Sequence, residues 1–306
     1  MRIGINATGL LAKASIDAFV THARQAEADG FASYWLAEHP TGGLDALTVL
    51  TVVGQAVETM EVGTAVIPTY PRHPMVLAAQ TLTTQQAIRG DLCMGIGLSH
   101  QVMMGALGMT DSKPILHLRE YLSVLLPLLR EGRVSFHGET ISCEAELFRP
   151  AENPPDVVVA ALGPQMLKVA GARTEGTSLA WVGPKTIENH IVPRINDAAA
   201  AAGRGTPRVI ATLPICVTDN PVELRERITM ASAMYVELPS YQAMFAREGV
   251  TSPGELGIVG TEAEVEDALA HLESIGVTDL SASEFCTSSA EREQTRALLS
   301  QLARAS

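Results

Sequence analysis

The feature that most constrains the fold of this chain is a regular alternation of short apolar runs with segments of helical periodicity. Strand-then-helix pairs of this kind recur about eight times along the 306 residues. Most of the apolar runs are continuously hydrophobic, as strands of a parallel sheet are when helices cover both of its faces. The pattern predicts an α/β protein, and the length suits a closed (β/α)8 TIM barrel, with an open doubly wound sheet as the alternative.

One stretch interrupts the alternation. Residues from about 132 to 155, between the fourth helix and the fifth strand, are typical of an insertion with short strands. No linker or low-complexity segment divides the rest of the chain. We therefore expect a single barrel domain over residues 1–306 that carries this one insertion.

Charge and cysteine usage indicate the kind of partner and compartment. Acidic residues outnumber basic ones by 34 to 22, and no run of Lys or Arg occurs, which disfavours nucleic acid and anionic membranes. A small molecule is the expected partner, and no stretch is apolar enough to predict a transmembrane helix. Four dispersed cysteines without a CxxC motif predict free thiols and a cytoplasmic location: Cys93, Cys143, Cys216 and Cys286.

The third predicted strand runs directly into a proline-rich loop, "GTAVIPTYPRHP", at residues 63 to 74. Proline cannot donate to a strand ladder and disfavours helix in the residue before it. The strand therefore ends near Pro68, and a stiff loop carrying Tyr70, Arg72 and His73 follows.

Polar residues at the strand ends are the candidate functional residues, because active sites of such barrels lie at the C-terminal ends of the strands. Asn6 follows the first strand, Glu38 and His39 the second, and Ser99 and His100 the fourth. Two interpretations stand for each of the two histidines. Each is either a general acid or base or an ordinary loop residue that hydrogen-bonds to the backbone.

Two glycine-containing turns are candidate ligand contacts. Gly97 in "GIGLS" permits close backbone approach at a strand end, as a flat ring system requires, although the motif is a weak dinucleotide fingerprint. In "ALGPQ", Gly163 and Pro164 precede a predicted helix, and the free amides that begin at Gln165 suit a phosphate. An ordinary strand-to-helix turn is the other interpretation of this segment.

Seven segments, taken in chain order, resemble the luciferase-like monooxygenase superfamily and, within it, the branch that uses the deazaflavin coenzyme F420. They span nearly the whole sequence: "GFASYWLAEH", "DALTVLTVVG", "VGTAVIPTYPRHP", "GIGLSH", "HLREYLSVLLPLL", "VVVAALGP" and "LGIVGTEAEVEDALAHLESIGV". The resemblance implies a bacterial luciferase-like (β/α)8 barrel with an insertion region, commonly found as a homodimer.

The resemblance also implies a position for the cofactor. Its ring would lie on a bulge of the third strand with a non-prolyl cis peptide at Ala65–Val66, and its phosphate would lie at Gly163. The cofactor is expected to be F420, with FMN as the alternative, and no metal site is expected. The expected cofactor-binding residues are Asn6, Thr64, Ala65, Val66, Ile67, Gly97, Ser99, Ala161, Leu162, Gly163, Pro164 and Gln165.

The catalytic residues expected from the resemblance include the Glu38–His39 pair, which matches the acidic-residue-then-His pair of the sugar-phosphate dehydrogenases. Those enzymes have a Glu where this chain has His100, and strand 8 here offers Ser283 and Glu284 instead of basic residues. A sugar phosphate is therefore not the expected substrate.

We expect an F420H2-dependent reductase that transfers hydride to an electron-poor C=C or C=N bond of a small organic molecule. His39 is the first candidate for the proton donor, oriented by Glu38, with His100 second and Tyr70 third.

Three alternatives remain open from the sequence. The first is an FMN-dependent monooxygenase of the same superfamily, which would need oxygen. The second is a metal-dependent hydrolase barrel that uses Glu38, His39, His73 and His100, although "RIGINA" in the first strand lacks the H-x-H motif usual there. The third is a non-catalytic binding barrel.

Overall fold

The computed structural model describes residues 1–39, 41–109, 113–149 and 152–305. Eight parallel strands form one sheet, in which the last strand pairs with the first, for example Leu280 with Ile3. This pairing closes the sheet and confirms the (β/α)8 barrel over the open alternative. The strands are β1 (Arg2–Asn6), β2 (Ser33–Leu36), β3 (Glu61–Thr64, resumed over Ile67–Pro68), β4 (Leu92–Gly97), β5 (Asp156–Val159), β6 (Gly176–Ala180), β7 (Arg208–Val217) and β8 (Asp279–Glu284).

Helices connect the strands and cover the outside of the barrel. Several begin at side-chain caps, as at Asp45, whose carboxylate accepts a hydrogen bond of 2.8 Å from the amide of Thr48. No helix in these described ranges is both long and apolar enough to cross a membrane. The α-helices are Ile16–Asp29, Ala46–Ala56, Pro74–Ala87, Gln101–Ala106, Pro114–Glu131, Pro164–Arg173, Pro184–Thr186, Val192–Ala201, Pro221–Ala231, Pro239–Glu248, Glu262–Ser274 and Ser289–Ala305.

Shorter elements complete the connections. A π-helical turn, Ile187–Ile191, joins the helices Pro184–Thr186 and Val192–Ala201 into one continuous helical segment. Three 3-10 turns lie at Thr8–Leu10, Ala233–Glu237 and Pro253–Leu256. A short strand, Ile258–Gly260, pairs in parallel with the end of β7. Between β7 and this short strand, the chain forms two helices and two 3-10 turns.

The insertion contains an antiparallel hairpin of two strands, Arg133–His137 and Ser142–Glu146, which we call the insertion hairpin. Residues 150 and 151 of the predicted insertion lie outside the described ranges. The buried carboxylate of Glu120 ties the turn of the hairpin to the barrel, because it accepts the amides of Glu139 and Ile141 at 2.7 and 3.0 Å. Hydrogen bonding, first from the Thr140 hydroxyl, lowers the pKa of Glu120 to about 2.

The interior of the barrel below its C-terminal mouth is filled by side chains. Gly63 in β3 makes room for the Trp35 indole, since a Cβ at this position would lie 2.2 Å from that ring. Trp35, from β2, belongs to a layer of buried side chains contributed by four different strands: Trp35, Cys93, Val158 and Ile210. Ala65 packs against this layer.

A cluster of buried charges closes the opposite, N-terminal end of the barrel. The guanidinium of Arg208 donates to the carboxylates of Glu61 and Asp279 at 2.8 and 2.7 Å. Burial opposes the charge of Arg208, but the two carboxylates outweigh it and raise the pKa of this group above its ordinary value. The N-terminal end of the barrel is therefore filled by ion-paired side chains.

Candidate functional site

A cavity of about 410 Å³ lies at the C-terminal ends of the strands, which is the size of a small-molecule site. The structure brings together in its wall most of the residues that the sequence predicted for the site. These are Asn6, Glu38, His39, Ala65, Val66, Gly97, Ser99, His100, Leu162 and Gly163.

The floor of the cavity is a bulge in β3. The peptide bond between Ala65 and Val66 is cis, at the position that the resemblance to the luciferase-like superfamily implied, and both residues line the cavity. The two glycines of β4 make this bulge possible, because a Cβ at Gly95 or Gly97 would lie 2.9 or 2.7 Å from the Val66 side chain. Close approach at Gly97 is therefore made by the chain's own Val66.

Five residues expected to bind the cofactor do not line the cavity. Thr64, Ile67 and Ala161 are completely buried behind its wall, where the Thr64 hydroxyl donates to the carbonyl of Gly95 at 2.8 Å. Pro164 and Gln165 are exposed on the outer side of the turn. Thr64, Ile67 and Ala161 thus support the wall from behind, whereas the exposed side chains of Pro164 and Gln165 lie outside the cavity.

His39 and His100 both line the cavity, from the ends of β2 and β4. Burial lowers the pKa of each imidazole, and the neighbouring His39 lowers that of His100 further. Both rings are consequently neutral near pH 7. In this form they can accept a proton or hydrogen-bond to a polar substrate atom.

The carboxylate of Glu38 pairs with Arg72, which corrects the expectation that it orients His39. One oxygen accepts the amide of Ala46 at 3.0 Å, and Arg72 donates to both oxygens and to Asp45. Burial opposes the charge of Arg72, but its carboxylate partners raise its pKa overall. Glu38 therefore brings little uncompensated charge to the cavity, and Arg72 is engaged within the chain.

Tyr70 lines a second cavity, whereas His39 and His100 line the first, so the structure separates this third candidate proton donor from the other two. Its ring stacks on that of His117 with centroids 3.9 Å apart. His73 lines the same second cavity and caps the following helix by accepting the amide of Met75. The proposed metal-binding set is thus divided, and no three His, Cys, Asp or Glu residues in the described ranges form a metal site.

The turn at Gly163 has the geometry of an anion site. Gly163 lies directly before the helix Pro164–Arg173, and a Cβ built on it meets open space within 4 Å. The first amides of a helix have no partner inside the helix and carry a partial positive charge. The neighbouring carbonyl of Leu162 accepts a 2.7 Å hydrogen bond from His190, which holds the turn.

Several residues of the cavity wall were not predicted from the sequence. Thr212 lies within β7, and Tyr235 and Tyr241 come from the segment after β7, whereas Trp181 lies just after β6, at a strand end that the sequence had indicated. The available sequence signal was that two of the chain's five tyrosines lie within seven positions of each other.

Ser99 and Trp181, both in the cavity wall, adopt left-handed backbone conformations, with φ of 68° and 57°. Such conformations are uncommon for residues other than glycine and are frequent at functional sites.

The closed barrel and the cavity at the C-terminal ends of its strands define a TIM barrel with a small-molecule site. The family model described as "Luciferase-like monooxygenase" matches residues 1–279. The chain belongs to this family, which confirms the family predicted from the sequence.

Two curated relatives are similar to this chain over part of their sequences. A 5,10-methylenetetrahydromethanopterin reductase of Methanolobus tindarius is 23% identical over 246 residues, which cover 79% of this chain and 74% of the relative. An F420-dependent glucose-6-phosphate dehydrogenase of Kineococcus radiotolerans is 28% identical over 204 residues, which cover 62% of this chain and 60% of the relative. The matched regions thus span about three fifths to three quarters of these relatives.

A solved structure shares the whole fold. The coenzyme F420-dependent tetrahydromethanopterin reductase from Methanopyrus kandleri superposes with a TM-score of 0.81, over 98% of this chain and 97% of that one, at 20% identity. This similarity confirms the architecture from end to end.

Proposed function

We propose that this chain is a coenzyme F420-dependent oxidoreductase acting on a small organic molecule. The observation that carries the proposal is that the Gly163 turn, the Ala65–Val66 bulge and the two histidines all line one cavity. The curated relatives and the solved neighbour, two of them named as F420-dependent, support the same choice. When bound, the deazaflavin supplies a hydride donor and acceptor that no side chain of the protein provides.

The residues present suit this cofactor. The open space at Gly163 and the helix amides would hold an anionic phosphate. The bulge at Ala65 and Val66 would support a flat ring, and the surrounding apolar wall would exclude water.

The finer proposal is reduction of an electron-poor C=C or C=N bond. His39 and His100 are placed in the cavity wall, where either imidazole can exchange a proton with the substrate atom next to the one that receives hydride. Because burial lowers the pKa of both groups, the protonated form is a stronger acid than an ordinary imidazolium and is a minor species at pH 7. Reduction should therefore become faster as the pH falls.

An FMN-dependent monooxygenase is the second candidate, and the description of the matching family favours it. The two candidates differ in chemistry. Deazaflavin has carbon in place of the flavin nitrogen that makes reduced flavin reactive with oxygen, so only the monooxygenase should require oxygen.

A parallel titration of the purified protein with F420 and FMN distinguishes the candidates. We expect F420 to bind more tightly, and Gly163→Val to weaken its binding by at least about tenfold, since the new side chain would occupy the phosphate position. Gly205→Val is the matched control, because a Cβ there also meets open space but lies in an exposed loop. Tighter binding of FMN, with oxygen uptake, would support the monooxygenase instead.

The proposal includes a homodimer in the cytoplasm. The four described cysteines are free thiols, as is usual in a reducing compartment. Light scattering coupled to size-exclusion chromatography should give about twice the 32.5 kDa mass of one chain.

A further inference from the structure

One side of the cavity is a cluster of four rings, which we call the aromatic wall: His100, Trp181, Tyr235 and Tyr241. These residues come from three separate parts of the chain. His100 follows β4, Trp181 follows β6, and the two tyrosines belong to the turn Ala233–Glu237 and the helix Pro239–Glu248. The segment after β7 therefore packs its rings against both strand ends.

The rings of the aromatic wall hold one another in place. Tyr235 lies 5.0 Å from Tyr241 at 76°, and 5.3 Å from Trp181 at 43°, between ring centroids. His100 lies 5.7 Å from Tyr241 in an edge contact. These separations fall within the range of favourable aromatic pairs. Tyr241, only 8% exposed, anchors the group in the protein.

The described residues that line the cavity offer no cation to a charged substrate. Among the described residues that line it, none is Lys or Arg, and the one carboxylate, Glu38, is paired with Arg72. Met103, Leu162 and Leu213 add apolar surface. A phosphate or carboxylate placed here, away from the Gly163 turn, would lose its hydration without gaining a counterion.

We propose that the aromatic wall is the substrate subsite and that it selects an uncharged molecule with a planar, conjugated ring system. This inference rests on the proposed function for the reaction, but the subsite itself is defined by the wall and the charge of the cavity. Stacking and edge contacts with Trp181 and Tyr235 would hold the ring, while His39 and His100 would contact its polar atom.

Three probes with one carbon skeleton test the proposal by isothermal titration calorimetry. They are 2-naphthol, which is planar and neutral, 2-naphthyl phosphate, which is planar and anionic, and decahydro-2-naphthol, which is neutral but not planar. We expect 2-naphthol to bind at least about tenfold more tightly than the phosphate, and several-fold more tightly than the saturated alcohol. Equal or tighter binding of either other probe would overturn the proposal.

Variants test whether the aromatic wall is the place of binding. Tyr235→Leu and Trp181→Leu should each weaken 2-naphthol binding about fivefold, the effect of losing one aromatic contact. Phe148→Leu is the control, because this aromatic side chain is fully exposed on the insertion. If Trp181→Leu does not fold, Tyr235→Leu alone decides the result. Unchanged affinity in the folded variants would contradict the proposed subsite.

The titrations are carried out with and without saturating oxidised F420, so that the two proposals can fail separately. Binding of F420 without any preference for 2-naphthol would refute the subsite and leave the cofactor assignment in place. The naphthol preference without F420 binding would refute the cofactor and support the subsite.

Discussion

His22 makes the stability of this protein depend on pH in a way that can be measured. Its Nε2 lies 3.0 Å from the guanidinium of Arg296, and its Nδ1 lies 3.0 Å from the hydroxyl of Tyr34. A guanidinium only donates, so Nε2 must accept, and the single proton of the ring lies on Nδ1. A second proton on Nε2 would face Arg296 and break this hydrogen bond.

The magnitude follows from the pKa of this group. Burial first, and then the charge of Arg296, lower the pKa of His22 from 6.5 to about 4 in the folded protein. The folded state therefore binds fewer protons than the unfolded state between these two values. Stability is greatest above pH 6.5 and falls as the pH is lowered toward 4, by about 3 kcal/mol over the whole interval at 1.4 kcal/mol per pH unit.

Urea denaturation of the wild type and of His22→Gln measures this effect. Glutamine can keep both hydrogen bonds but does not titrate. Between about pH 8 and about pH 5.5, the wild type should lose about 1 kcal/mol more unfolding free energy than the variant. His271→Gln, an exposed histidine on the helix Glu262–Ser274, is the control and should resemble the wild type. An equal loss in the wild type and His22→Gln would refute the reasoning.

Three further predictions concern the site and the insertion. If His39 supplies the proton, His39→Gln should lower the reductase kcat about 100-fold and flatten its rise toward acid pH, with F420 affinity little changed; an unaltered pH profile would assign the proton to His100 or solvent. Glu38→Gln should cost about 1–3 kcal/mol of unfolding free energy, measured in urea, because Arg72 loses one of its two charged partners, and unchanged stability would show that Asp45 suffices. Glu120→Gln should speed limited proteolysis of the insertion hairpin at neutral pH, and an unchanged digestion rate would contradict its role in holding the turn.

The fold and part of the site were predictable because they depend on short-range sequence patterns. Apolar runs and helical periodicity repeat locally, and parallel strands necessarily bring their C-terminal ends to one face. His39 and His100 could therefore be placed at a common rim without any knowledge of the contacts between them. Gly163 was identified in the same way, from its place between a strand and a helix.

The remaining features depend on contacts between distant segments, which local patterns do not contain. Glu38 is held by Arg72, which is 34 positions away, so its adjacency to His39 in the sequence was misleading. Thr212 faces the cavity from within β7, because that strand has ten residues and extends past the cavity. Tyr235 and Tyr241 reach the site only because the segment after β7 folds back over the mouth.

Because side chains fill the barrel below Ala65, the cavity at the C-terminal mouth is closed at its base. Among the described residues, the layer around Trp35 and the ion-paired Arg208 fill the barrel below the cavity. A molecule that enters from the C-terminal mouth therefore meets the bulge of β3 with the part of it that enters first. We therefore expect the substrate to react at one end or on a compact ring, because a long chain that reacts in its middle would have to bend back on itself inside the cavity.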